Sequence, residues 1–280
     1  MITGGTGQLG QDLVEVLSRN NDVRYCSRKD FDLTDLRNTK HYILEMDPNV
    51  IIHSAAYTDV DGCEVRPEKA FNVNSLGTRN VAIASRNVGA KLFYISTDYI
   101  FDGDKEERYK EFDIPNPKTV YGKSKLLGEE YVKEQLSDFF IVRIAWLYGK
   151  NGNNFVKTML DLAVSNDKIQ VVNDQIGSPT WTKDVARQVE VLLGTEAFGT
   201  YHCTSRGSCS WYDFALKIFD LADLEVGVEP ISSQELSREA ERPSNSVLEN
   251  YLLELQGLQE MPHWSTSIES FLEEYLRRDN

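Results

Sequence analysis

Two groups of residues in this sequence are placed to do chemistry. The first is Thr3-Gly4-Gly5-Thr6-Gly7-Gln8-Leu9-Gly10, in which Gly4, Gly7 and Gly10 recur every third position. Glycine there permits backbone angles and a close approach of phosphate that a Cβ would block. A helix opening at Gly7 would aim free N–H groups and the positive end of its dipole at a pyrophosphate. The second is Tyr121 and Lys125, in Val120-Tyr121-Gly122-Lys123-Ser124-Lys125. Four residues apart on a helix, a phenol and an ammonium share one face. A free phenol titrates near ~10, and a nearby cation favours phenolate, so the pair is a means of moving a proton at neutral pH. A dinucleotide cradle with a proton donor is the kit of a reductase.

These groups need strands and helices to hold them. Apolar spacing predicts a helix over 7–20, with Leu9, Leu13, Val16 and Leu17 on one face, and strands at 23–26, 50–53, 91–96 and 139–144. Helices are expected at 40–46, 68–88 and 124–135. The alternation implies an α/β fold, a Rossmann-like doubly wound parallel sheet. After Gly149 the rhythm changes. Helices at 153–163, 182–193, 211–222 and 267–277, with strands at 169–172 and 200–203, suggest a smaller C-terminal α/β lobe. The expected division is 1–149 with 180–204 for the nucleotide-binding domain, and 150–179 with 205–280 for the substrate lobe. Only Met1, Ile2 and Thr3 precede Gly4, so the first strand is expected to look clipped, short and frayed.

The bulk numbers narrow the setting. The chain has 280 residues, 41% hydrophobic and 26% charged, ordinary values for a globular protein. No membrane-length apolar run and no signal peptide is visible, and Cys26, Cys63, Cys203 and Cys209 form no metal or C-x-x-C spacing. A cytoplasmic enzyme with reduced thiols is the expectation. A formal charge of −14 argues against nucleic-acid binding and requires any anionic substrate to be met by local cations. At the end of the second strand, an acid would hydrogen-bond the ribose hydroxyls of NAD. This chain has Ser27, Arg28 and Lys29 instead, which favours a 2′-phosphate and hence NADPH, with NADH as the alternative; Asp32 and Leu33 would flank the adenine.

The set resembles the extended short-chain dehydrogenase/reductase family: T-G-x-x-G-x-x-G at Thr3 to Gly10, Asn74 with Gly77-Thr78, Ser96-Thr97 at a strand end, and Tyr121 with Lys125. Longer runs resemble the dTDP-4-dehydrorhamnose reductases within it. They are 53–61 (His53 to Asp61), 95–103 (Ile95 to Gly103), 153–156, Asp174 to Thr180, and Arg242-Pro243-Ser244-Asn245-Ser246. The resemblance spans nearly the whole chain. It implies reduction of the 4-keto group of dTDP-6-deoxy-L-lyxo-4-hexulose to dTDP-L-rhamnose. In that scheme Tyr121 protonates the developing alkoxide, Lys125 lowers the Tyr121 pKa and holds the nicotinamide ribose, and Thr97 orients the ketone. Gly4, Thr6, Gly7, Gln8, Leu9, Gly10, Ser27, Arg28, Asp32, Leu33, Ala55, Ala56, Tyr57 and Asn74, with Tyr121 and Lys125, would contact the cofactor. Thr58, Val60, Thr97, Asp98, Tyr99, Trp146, Asn154, Gln175 and Arg242 would contact the sugar nucleotide. The Arg242 guanidinium is assigned to its pyrophosphate.

Trp146 stands where extended members often carry Asn, which fits the rhamnose reductases and a ring packed on the sugar; a core Trp is the alternative. Some relatives form a homodimer bridged by Mg²⁺ through acidic residues. Asp12 is one such acid, but Lys183 replaces another, so no metal site is expected. Two rivals remain. A nucleotide-sugar epimerase or dehydratase is one, but a dehydratase would place an acid pair after the Thr, where this chain has Asp98-Tyr99. The other is a non-catalytic NADP-binding regulatory subunit, like that of methionine adenosyltransferase, which would be expected to have lost the proton-transfer pair or the Arg.

Overall fold

The computed structural model describes residues 1–277. In chain order the first half runs β1 (Ile2–Thr3), α1 (Gln8–Leu17), β2 (Tyr25–Cys26), α2 (Leu36–Met46), β3 (Val50–His53), α3 (Val60–Val65), α4 (Pro67–Ala70), a π-helical segment Phe71–Gly77, α5 (Thr78–Val88), β4 (Lys91–Thr97), α6 (Val120–Gln135) and β5 (Phe139–Ile144). The second half runs β6 (Leu147–Tyr148), α7 (Phe155–Ala163), β7 (Lys168–Val172), β8 (Ile176–Gly177), β9 (Thr180–Trp181), α8 (Thr182–Leu193), β10 (Gly199–His202), β11 (Cys209–Ser210), α9 (Trp211–Leu221), β12 (Gly227–Ile231), α10 (Tyr251–Leu255) and α11 (Trp264–Leu276).

Six strands form one parallel sheet in the order β10-β5-β4-β3-β1-β2. The order reverses beside β1, between β2 and β3, and ligands of doubly wound sheets bind in the crevice at such a point, outside the carboxyl ends of the strands. Successive side chains of a strand point to opposite faces. Phe93 and Ile95 of β4 accordingly join one core with Leu13, Val142 and Val189, while Leu92 and Tyr94 join the other with Ile51, Val81 and Ile141. A third core lies outside the sheet, where Tyr148, Val156, Ile169, Phe214 and Phe271 pack together. Residues 182–202 return from this region to the sheet as α8 and β10. Leu253 and Met261 also pack into the sheet's own core.

β1 is short, as expected, but it is not frayed. Ile2 is buried, its N–H donates to the Arg24 carbonyl, the Ile52 N–H donates to the Met1 carbonyl, and the Met1 amine reaches the Val50 carbonyl at 2.8 Å. Pairing on both sides holds a strand that length alone would leave loose. The single long helix expected over 68–88 is instead three pieces with a π-helical middle. There the Asn74 side chain bonds to Tyr57 N and O and to Ser124 Oγ, and Leu33 fills the space beside Gly77. Such π segments recur beside functional sites. α6 begins earlier than expected, at Val120, because the Thr119 side chain caps it by accepting from Gly122 N.

Candidate active site

The glycine turn leaves β1 and enters α1. Gly4 has φ +71°, and a Cβ there would come within 2.8 Å of the Ala55 backbone, so this left-handed position is closed to other residues. At Gly10 a Cβ would strike the Gly4 carbonyl, so α1 packs directly on the turn. Gly7 is the N-cap of α1, with no side chain capping the helix. A helix start with uncapped N–H groups, on a turn too tight for a Cβ, fits the pyrophosphate of a dinucleotide. Around it, Thr6 and Gln8 edge the turn, and Leu9 is buried under α1. The Gln8 side chain reaches Asn154, and Ala55 packs with Cys26, Phe31 and Leu33. At the end of β2, Arg28 and Lys29 are exposed, while Asp30 accepts from the Ser27 N–H and hydroxyl. Asp32 caps its own loop through Thr34, and Leu33 is buried with Cys26 and Phe31. Ala56 is half-buried beside the turn.

Asn74 differs from the expectation. It is wholly buried, its amide donates to Tyr57 O and Ser124 Oγ, and its Oδ1 accepts from Tyr57 N. It ties the loop after β3 to α6 and has no face left for a cofactor. Tyr57 packs in the cluster with Val60, Tyr99 and Tyr121, under the Lys69 ammonium.

Thr97, Tyr121 and Lys125 meet at the carboxyl end of β4. The Thr97 hydroxyl donates to Asp98 Oδ1 at 2.8 Å and accepts from Tyr99 N. Tyr121 is in the first turn of α6, edge-on to Tyr99 with ring centres 5.5 Å apart. The expected lowering of its pKa by Lys125 is not what this arrangement produces. Burial pushes the phenol well above its ordinary value, and a hydrogen bond with Thr97 only partly opposes this. The Lys125 ammonium is directed elsewhere. It donates to the Ile95 carbonyl at 2.6 Å and lies 4.1 Å from the Tyr94 ring centre. Burial lowers its pKa to about 7, countered by Glu129 one turn along. The Glu129 carboxylate is itself clamped by the Arg143 guanidinium at 3.0 and 2.8 Å, with both side chains buried. Nearby His53 bonds to the Thr3 and Thr78 hydroxyls, and burial takes its pKa down to about 3, so it stays neutral. Burial likewise raises the Asp98 carboxyl to about 6.

A cleft of about 520 Å³ adjoins this group, lined among others by Asp98, Tyr99, Trp146, Gln175, Arg238 and Arg242. Trp146 has φ +48° and stacks on Trp211, with ring centres 3.5 Å apart and planes at 4°. One indole face is therefore taken by protein, and Gly177 leaves room for its edge. Asn154, expected at the sugar, is a helix cap. Its Oδ1 caps α7 by accepting from Lys157 N, and its amide donates to Gly149 O and Gln8. Thr58 is exposed, and Val60 packs toward Tyr121 rather than along this cleft. Arg242 does line the cleft, but its guanidinium grips Asp61 through two contacts of 2.6 Å. The cleft residues Trp211 and Arg238, the Arg242 partner Asp61 and the supporting pair Glu129–Arg143 were missed from sequence. Only the Asp61 run, Asp59-Val60-Asp61, carried a visible signal. On the far side of α1, Asp12 bonds to the Thr182 hydroxyl, and Lys183 pairs with Glu274 at 2.6 Å and with Glu15 at 3.8 Å.

A family model described as the RmlD substrate binding domain matches residues 1–277. The chain belongs to this family. Among its relatives, the spore coat polysaccharide biosynthesis protein SpsK of Bacillus subtilis is 39% identical over 275 residues, covering 98% of this chain and 96% of that protein. A dTDP-4-dehydrorhamnose reductase of Streptomyces griseus is 40% identical over 280 residues, covering 97% and 92%. A crystal structure of dTDP-4-dehydrorhamnose reductase from Bacillus anthracis in complex with NADP is 47% identical, covers 98% of each chain and superposes with a TM-score of 0.96. In this chain of the RmlD family, the sheet and the lobe are thus both inside the matched span. No helix of the described residues is long and apolar enough to cross a membrane.

Proposed function

We propose that this chain reduces the 4-keto group of dTDP-4-dehydro-L-rhamnose to dTDP-L-rhamnose with NADPH. The observation that carries the reading is the meeting of Thr97, Tyr121 and Lys125 at the carboxyl end of β4, beside the cleft that the adjoining Asp98 and Tyr99 line. NADPH, when bound, supplies the hydride. The chain's own residues do the rest. The Thr97 hydroxyl is positioned to hydrogen-bond the ketone oxygen. Tyr121 holds its proton firmly because it is buried, which makes it a donor only to a strong base, and a developing alkoxide is one. Lys125, its ammonium held on the Ile95 carbonyl, is the residue that would hold the nicotinamide ribose. In the free chain the one proton of the Thr97 hydroxyl is donated to Asp98 Oδ1, so the hydroxyl turns from Asp98 to the ketone oxygen when substrate binds.

The sheet with its returning segment 180–204 holds the cofactor in this reading, and the lobe, 150–179 and 205–280, holds the sugar nucleotide. Arg28 and Lys29 select the 2′-phosphate, with NADH a poorer substitute. Arg242 meets the substrate pyrophosphate, and Gln175, Trp146 and Tyr99 line the sugar end of the cleft. The location is the cytoplasm, where the four buried cysteines stay free. The deciding experiment supplies the purified chain with the dTDP-keto sugar and NADPH and follows both NADPH oxidation and the product by chromatography. Formation of dTDP-L-rhamnose is expected. A chain that binds NADPH but consumes none in the presence of the keto sugar would refute the reading.

A further inference from the structure

Arg242 is expected to serve an anionic ligand, yet it is already in the geometry that would serve one. Its two terminal nitrogens meet the two carboxylate oxygens of Asp61 at 2.6 Å each, the fork-to-fork pairing a guanidinium uses on a phosphate. We propose that Asp61 is a resident counter-ion of the Arg242 fork, and that a ligand diphosphate binds at this end of the cleft by displacing it. The inference rests on the reading of Arg242 as the pyrophosphate's cation.

Four features support an exchange rather than a permanent brace. The Arg242 side chain is 15% exposed and Asp61 39%, so the carboxylate sits on the solvent side of the pair and has a way out. Arg242 lines the cleft, and so does Arg238 on the same segment. Arg238 makes no hydrogen bond or ion pair among the described residues, and its charge already acts on Asp61, so a displaced carboxylate has a second cation within its field. The segment itself has other fastenings. The Ser244 hydroxyl and the Asn245 N–H both donate to the Gly103 carbonyl, and Ile176 N donates to Ser244 O. Releasing Asp61 therefore need not release the segment. The charge logic is also consistent. In a chain of net charge −14, a carboxylate keeps the half-buried fork neutral when no ligand is bound, and a diphosphate exchanges like for like. Asp61 is held ionised by Arg242, its pKa lowered to about 2, so the competition persists through neutral and mildly acidic pH.

The test uses the NADP⁺-saturated protein and dTDP as the probe, with thymidine as the probe that lacks phosphates. Asp61→Asn keeps an acceptor for the Ala240 N–H but removes the competing charge. It should bind dTDP about three- to tenfold more tightly, leave thymidine unchanged, and lower KM for the keto sugar. Asp61→Ser should move affinity in the same direction, and the gain should vanish in an Arg242→Ala background. If Asp61→Asn and Asp61→Ser bind dTDP no better than wild type while Arg242→Ala weakens it, Asp61 is only a brace and the proposal fails, with the pyrophosphate role of Arg242 intact. If Arg242→Ala leaves dTDP affinity unchanged, that role fails and the proposal with it.

Discussion

Lys125→Met should make the cofactor-free protein more stable while abolishing most of its turnover. The ammonium is fully buried, with the Ile95 carbonyl as its hydrogen-bond acceptor and the Tyr94 ring beside it. Its pKa falls from 10.5 to about 7 because burial penalises the charge. At about 1.4 kcal/mol per pH unit, carrying that charge in the fold at acidic pH destabilises the protein by about 5 kcal/mol. Methionine fills a similar volume without a charge, but it leaves the Ile95 carbonyl without its donor, a loss of about 1–3 kcal/mol. A net gain of about 2–4 kcal/mol remains. The sign with pH follows from the depressed pKa. The penalty is complete below about pH 7 and fades as pH rises toward 10.5, where the side chain is neutral in both folded and unfolded chains. Urea denaturation of wild type and variant across this range should therefore show the variant's advantage largest at pH 6 and lost or reversed by pH 10, where the missing hydrogen bond is all that separates them. The same substitution should lower kcat/KM by about 10²–10⁴-fold. A variant less stable than wild type below pH 7, or an advantage that grows with pH, would refute the account of Lys125 as a strained, functional ammonium.

Three further outcomes are expected. Tyr121→Phe should keep NADPH affinity but slow single-turnover reduction by about 10²–10⁴-fold, because it removes the proton donor alone. Arg28→Ala should lower kcat/KM with NADPH by about tenfold and leave NADH almost untouched, as measured in paired steady-state assays. Gly10→Ala would drive a methyl into the Gly4 carbonyl and so destabilise the fold by about 1–3 kcal/mol, seen as a lower melting temperature with weaker NADPH binding.

Much of this was legible in the sequence, and the failures share one cause. β3, β5 and α8 lie where their apolar runs place them, because a buried strand or an amphipathic helix is written in consecutive residues. The glycine turn and the Tyr121–Lys125 spacing are likewise local patterns. The π-helical segment was not visible, because it depends on Asn74 finding Tyr57 and Ser124, which are distant in sequence. The capping of α7 by Asn154 was not read from its residue type, because the cap depends on where the helix begins. The effect expected of Lys125 on Tyr121 followed from charge alone. Burial reversed it, and burial is a property of the fold. Asp61 and Glu129 are ordinary acids in sequence and become informative only when Arg242 and Arg143 are seen to hold them.

The return of 182–202 to the sheet bears on how the chain is made. Strand β10 closes one edge of the six-stranded sheet against β5, and about 55 residues separate the two strands. Leu253 and Met261 then cover part of the same core from still later in the chain. A growing polypeptide that has completed the glycine cradle, Thr97, Tyr121 and Lys125 thus still lacks an edge of its sheet and part of its apolar cover. The sheet half cannot be finished before nearly the whole chain has emerged, so a fragment ending near residue 149 would carry Thr97, Tyr121 and Lys125 and still expose an open, sticky sheet edge.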